Sequence, residues 1–170
     1  MEKFIKTPDQ ITALIQHWFL HYHRKDREFF SGSEDFTFFD LIPEGLQRGI
    51  LQRVNLDENE KPVLLLKCDK IIFILNTTHR FIWVGESSLE SVSYTDFVGH
   101  KGYKSIMVKG DVKMSKERAK GVKTDGAFAE FGLEMRGGEI LYWTIPTGKP
   151  GFAFWNVTKK CELIGRKYLW

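Results

Sequence analysis

Residues 71–85 read Ile71-Ile72-Phe73-Ile74-Leu75-Asn76-Thr77-Thr78-His79-Arg80-Phe81-Ile82-Trp83-Val84-Gly85, and they decide the fold. Two apolar runs, rich in β-branched and aromatic residues, flank the polar interval Asn76–His79. Such side chains suit extended backbone and the polar interval suits a turn. The stretch therefore predicts a β-hairpin within a mostly antiparallel sheet. No catalytic residue set accompanies it.

The extended pattern continues on both sides of the hairpin. Upstream, Val63–Lys67 is a short apolar run. Downstream, Ser91–Phe97 alternates, and Ser105–Lys109 and Asp111–Met114 predict two short strands hinged at Gly110. Between Ser115 and Gly126 lies a basic, turn-rich loop. Ala127, Ala129, Phe131, Leu133 and Met135 then share one face of a strand, Gly137-Gly138 signals a turn, and Ile140–Ile145 returns. After Thr147–Gly151 breaks the sheet, Phe154, Val157, Cys161, Ile164 and Tyr168 recur at steps of three and four. That spacing predicts a closing helix.

The N-terminal third has a helical period instead. Thr7 is an N-cap candidate, Pro8 suits the first helical position and Gln10 completes a capping box. Ile11, Leu14, Ile15, Trp18, Phe19 and Tyr22 then fall along one face, with Arg24–Glu28 as a solvated end and Ser31-Gly32-Ser33 as the break. Phe36, Phe38 and Phe39 read as docked aromatics. Pro43 opens a short helix carrying Leu46, Ile50 and Val54, weakened by Gly45 and Gly49. The polar stretch Asn55–Lys61 is the best internal boundary. It divides a helical extension, residues 1–60, from a sheet domain, residues 61–170.

Composition limits the classes open to this chain. Its 170 residues suit one domain with an extension, and 42% hydrophobic content suffices for a core. A net charge of +3 argues weakly about partners. Cys68 and Cys161 are too few for a disulfide scaffold and lack metal-ligand spacing, so both read as reduced core thiols. Residues 1–7 lack the apolar core and cleavage site of a signal peptide, and apolar runs of five residues are far too short to span a bilayer. A cytoplasmic protein is the expectation.

Seven antiparallel strands closed by one C-terminal helix is an order that resembles the pleckstrin-homology-like superfamily. The resemblance is sharpest at Ile72-Phe73-Ile74-Leu75, a Thr-rich turn, and Arg80-Phe81-Ile82-Trp83-Val84, followed by Ser93-Tyr94-Thr95-Asp96-Phe97. It is to the bacterial members, and it covers roughly Pro62–Trp170. It implies an α+β fold: a split β-barrel of about seven antiparallel strands, capped by the C-terminal helix, with the N-terminal helices outside the core pattern. It also implies binding or scaffolding rather than catalysis. In such a barrel the aromatic excess, 14% of residues, fills the interior, and Phe154 and Ile164 cap one end.

The functional signals are sparse. Between Lys101 and Thr124, eight basic residues face only Asp111 and Glu117. Lys101, Lys104, Lys116, Arg118, Lys120 and Lys123 are the candidate contacts for an anionic lipid or phosphate, a reading that needs them to converge in space. Solvated, solubilising charge is the plainer reading. One aromatic among them, Tyr103, is too few to argue for nucleic acid. Gly99–Ser105 fails the phosphate-loop template in glycine spacing. His17 and His21 stand four apart on the first helix, but no further ligand completes a metal site; His79 is expected to be exposed. No Ser or Cys is held near a His in sequence to suggest a nucleophile.

The resulting expectation is a non-catalytic binding or adaptor module without cofactor or metal, serving a protein partner. The second reading is peripheral contact with an anionic membrane. The third is a small-ligand enzyme built in the barrel mouth. Partner identity and oligomeric state are left open.

Overall fold

A computed structural model describes residues 5–104 and 126–169 of the chain. The element order begins with α1 (Pro8–His23), β1 (Phe36–Phe38) and α2 (Glu44–Val54). Four strands follow, β2 (Pro62–Lys67), β3 (Phe73–Thr77), β4 (Arg80–Val84) and β5 (Leu89–Ser93). Then come β6 (Phe97–Tyr103), β7 (Phe128–Met135), β8 (Ile140–Pro146) and α3 (Gly148–Thr158). A short helical turn, Cys161–Leu163, and a π-helical turn, Ile164–Tyr168, prolong α3.

The fold is α+β with two antiparallel sheets. One has the order β1-β2-β3-β4-β5 and the other β6-β7-β8. The described strands do not close into a single barrel. The expected hairpin is present, with Phe73 opposite Val84 and Asn76 opposite Phe81. Its turn is tighter than the polar run suggested, because Asn76 and Thr77 belong to β3 and are fully buried, as is Thr78. The β7–β8 hairpin also forms, with Phe131 opposite Trp143. Its loop has three residues, Arg136–Gly138: the Gly138 amide donates to Met135 O and Gly138 takes a φ of +89°. Glycine is suited to that left-handed position.

The larger sheet is covered on both faces, which explains why its strands read as continuous apolar runs rather than alternating ones. On one face α2 packs Ile50 and Val54 against Leu65, Leu75 and Ile82. On the other, Leu64, Leu66, Ile74 and Phe81 share a core with Phe131, Trp143 and Phe154. Ile11, Ile15 and Phe19 of α1 belong to that same core. Phe19 meets Phe36 at 5.1 Å between ring centroids, and Phe36 meets Phe154 at 5.8 Å. The chain before residue 60 and the chain after it are thus joined by aromatic packing and by the pairing of β1 with β2.

Several local expectations hold. The Thr7–Gln10 capping box is complete in both directions, and Ile11, Ile15, Trp18 and Phe19 are the buried face of α1. That helix ends at His23, where Arg24 turns left-handed with φ 53°. The stripe Phe154, Val157, Cys161 and Ile164 is buried. Other features differ. Phe36–Phe38 is a strand. Ser91–Phe97 is broken into β5 and β6 by a turn in which the Asp96 amide donates to Ser93 O. Gly99–Tyr103, rejected as a phosphate loop, is strand β6, whose register shifts twice against β7. The strands expected at Ser105–Lys109 and Asp111–Met114 lie outside the described residues. No helix among the described residues is long and apolar enough to cross a membrane.

Candidate functional site

Where the β2–β3 turn and strands β4 and β5 of the larger sheet approach β8 of the smaller one, a cleft of about 570 Å³ opens. Asp69 and Ile72 border it from the β2–β3 turn, and Trp83 and Glu90 from β4 and β5. From the other sheet come Phe128 at the start of β7 and Tyr142, Trp143 and Thr144 of β8. Cys68 is buried beneath it, and burial pushes its thiol up to about 12, with the Asp69 charge adding to the effect. This cysteine is a neutral packing group, not a nucleophile.

Three relationships fix the walls. The Trp143 indole Nε1–H donates to Glu90 Oε2 over 2.7 Å, tying β8 to β5 across the boundary between the sheets. Trp143 itself is 3% exposed, so this bond satisfies a buried donor. Glu90 and Trp83 are opposite one another in the β4–β5 register and share a face. Gly85 supports Trp83 from below: a Cβ there would come within 2.4 Å of the indole ring. The remaining aromatic wall is open, with Phe128 53% exposed.

The chemistry of the lining is one-sided. Among the described residues it contributes two carboxylates, Asp69 and Glu90, four aromatic rings and no Lys, Arg or His. Aromatic faces attract cations through their quadrupole, and a carboxylate fixed by an indole hydrogen bond is a preset acceptor for a guanidinium or ammonium.

The residues singled out in the sequence are arranged differently. Lys101 and Lys104 leave β6 on the outer face of the smaller sheet, where Lys101 pairs with Glu134 at 3.6 Å and Lys104 with Glu130 at 3.4 Å. Lys104 also lies over the Tyr142 ring at 5.0 Å. Both cations are therefore matched by acids on β7. Lys116, Arg118, Lys120 and Lys123 lie outside the described residues. His17 and His21 have stacked rings 6.0 Å apart, and no group of three possible metal ligands exists among the described residues. His79 is half-buried rather than exposed, because its Nδ1 lies 2.6 Å from Thr78 Oγ1.

Two polar clusters serve the framework away from the cleft lining. Arg80 forms a two-pronged pair with Glu60, at 2.9 and 3.1 Å, and Thr77 donates to the same carboxylate at 2.5 Å. His100 sits among Phe81, Phe97, Phe131 and Phe154, with centroids 4.8–5.8 Å away. The Thr158 hydroxyl donates to Phe154 O, so His100 Nε2–H donates to Thr158 Oγ1 at 2.8 Å. That tautomer leaves Nδ1 buried without a partner among the described residues.

No protein-family model, curated protein or solved structure matches the chain. The cleft is therefore interpreted from its own residues. Sequence reasoning located its rings only as part of a general aromatic excess. Asp69 and Glu90 carried no local signal, because they acquire a shared role only when the two sheets meet.

Proposed function

We propose that this protein is a non-catalytic binding module, and that the cleft between the two sheets receives a cationic side chain of a protein partner. The observation that carries the reading is the Trp143–Glu90 hydrogen bond in a cleft whose lining, among the described residues, has two carboxylates and no Lys, Arg or His. Lys104, which lies over the Tyr142 ring, is paired with Glu130. An arginine suits this lining best. Its guanidinium can stack on a ring and donate to a carboxylate at the same time. The anionic-lipid reading draws less support, since Lys101 and Lys104 are already paired with Glu134 and Glu130.

The order of elements supports a pleckstrin-homology-like assignment for the second part of the chain. From Pro62 onward it runs as four strands of one sheet, three of another, then a helix against both. In this reading β1 is an addition to the four-stranded half.

The test is titration of the full chain with Nα-acetylarginine amide, followed by tryptophan fluorescence, with Nα-acetylglutamine amide as the neutral control. Saturable quenching by the arginine compound alone, lost in Glu90→Gln, is the expected result. Equal responses to both compounds would remove the cationic reading.

A further inference from the structure

Resting on that reading of the cleft, we propose that the partner binds as an extended strand along the free edge of β8, with its cationic side chain placed against Glu90. The argument starts from the β7–β8 ladder. In an antiparallel pair, residues alternate between those that exchange hydrogen bonds with the partner strand and those whose N–H and C=O point away from it. The Met135 amide donates to Glu139 O and the Thr147 amide donates to Ala127 O, one at each end of an uninterrupted register. Odd-numbered residues of β8 therefore bond to β7. Ile140, Tyr142 and Thr144 direct their backbone groups outward.

Tyr142 and Thr144 are also cleft-lining residues. Among the described residues β8 pairs only with β7, so no described strand covers this edge where the carboxylates lie. The edge of β5 differs. Its hydrogen-bonded residues are even-numbered, as the Tyr94 amide to His79 O and the Gly85 amide to Ser88 O establish, so Leu89 and Ser91 point outward. Neither of those two lines the cleft. Pro146, lacking an N–H, ends the available donors on β8.

Backbone pairing on β8 and a charged contact at Glu90 are then available to one ligand. An extended segment alternates its side chains, so one residue can face the cleft while its neighbours point away from it. Charge selects the occupant: the charged groups of the described lining are the carboxylates Asp69 and Glu90, which suit a facing Arg or Lys.

The experiment uses the full chain and the peptide Ac-Thr-Val-Arg-Val-Thr-NH2, beside Nα-acetylarginine amide. The peptide is expected to bind about tenfold more tightly than the single residue, a gain of one or two backbone hydrogen bonds. At saturation the Tyr142 and Thr144 amides are expected to exchange with deuterium about tenfold more slowly. Of two peptides N-methylated on alternate residues, one is expected to lose this gain and the other to keep it. If both methylated peptides bind like the parent and the two amides stay unprotected, strand addition is wrong while the cationic cleft stands. If Nα-acetylarginine amide itself fails to bind, the cleft reading falls and takes the strand with it.

Discussion

Trp143 on β8 and Glu90 on β5 are edge residues of different sheets joined by one hydrogen bond of 2.7 Å. The bond does two separable things: it satisfies a buried indole N–H, and it orients a negative charge. Glu90→Gln keeps an acceptor and removes the charge. Its stability is expected within about 1 kcal/mol of the parent, with binding of Nα-acetylarginine amide lost. Glu90→Ala leaves the indole donor unpaired and is expected to cost about 1–2 kcal/mol in urea unfolding. Identical unfolding midpoints for the two variants would show that the bond contributes nothing to holding β8 against β5.

Gly85 and Trp83 give a purely steric prediction. A methyl group at residue 85 would lie 2.4 Å from the ring, so Gly85→Ala must displace the indole. The chain is expected to fold, with weaker ligand binding and an altered tryptophan emission. Unchanged emission and unchanged affinity would mean that Trp83 does not form the working wall.

What was legible in the sequence follows from how each element is buried. The hairpin at 71–85 and the helix behind Thr7 could be read because chemistry and period agree within a single segment. Phe36–Phe38 escaped recognition as a strand because three residues are too few to display alternation, and all three are buried. β6 was hidden by two register shifts beside Gly99 and Gly102, which interrupt its period of two. The polar residues Asn76–Thr78 read as a turn, yet Glu60 and Tyr94 are brought to Thr77 and Asn76 from elsewhere in the chain. The cleft could not be read for the same reason. Its carboxylates stand on a turn and an edge strand of one sheet and its indole donor on an edge strand of the other, a juxtaposition that only the folded chain creates.

Glu60 and Arg80 tie the turn before β2 to the central hairpin, and their loss is expected to be expensive. The Glu60 side chain is fully buried while that of Arg80 is 24% exposed. Arg80→Ala would strand a carboxylate out of water and is expected to destabilise the chain by about 3 kcal/mol. Burial alone would raise the Glu60 carboxyl, but hydrogen bonds from Arg80, Thr77 and the Asp57 amide outweigh it and hold the group below its usual range. A carboxyl depressed in the folded state stabilises fully above its unfolded pKa and loses that contribution as pH falls through the folded value. The stability gap between the parent and Glu60→Gln is therefore expected to narrow below about pH 4.5. A gap independent of pH would show that the pair is not ionised in the native protein.

His100 predicts a second, separate acid response. Burial, reinforced by the Lys159 charge, pushes its imidazole down to about 3. Four phenylalanine rings surround it and its buried Nδ1 has no partner among the described residues, so protonation would place a charge in a largely apolar setting. The unfolded chain takes up this proton near its ordinary value of 6.5 and the native chain does not. Stability is therefore lost as pH falls from about 6.5 towards about 3, by about 1.4 kcal/mol per unit. His100→Phe keeps an aromatic ring in the box and removes both the titration and the unpaired nitrogen. At neutral pH the variant is expected to unfold close to the parent, and at pH 4 to be the more stable of the two. Nitrogen chemical shifts of the parent imidazole supply the direct check: a neutral ring protonated on Nε2 at pH 5 is expected. A ring that titrates near 6.5 would mean that water reaches the phenylalanine box, and the pH advantage of His100→Phe would vanish with it.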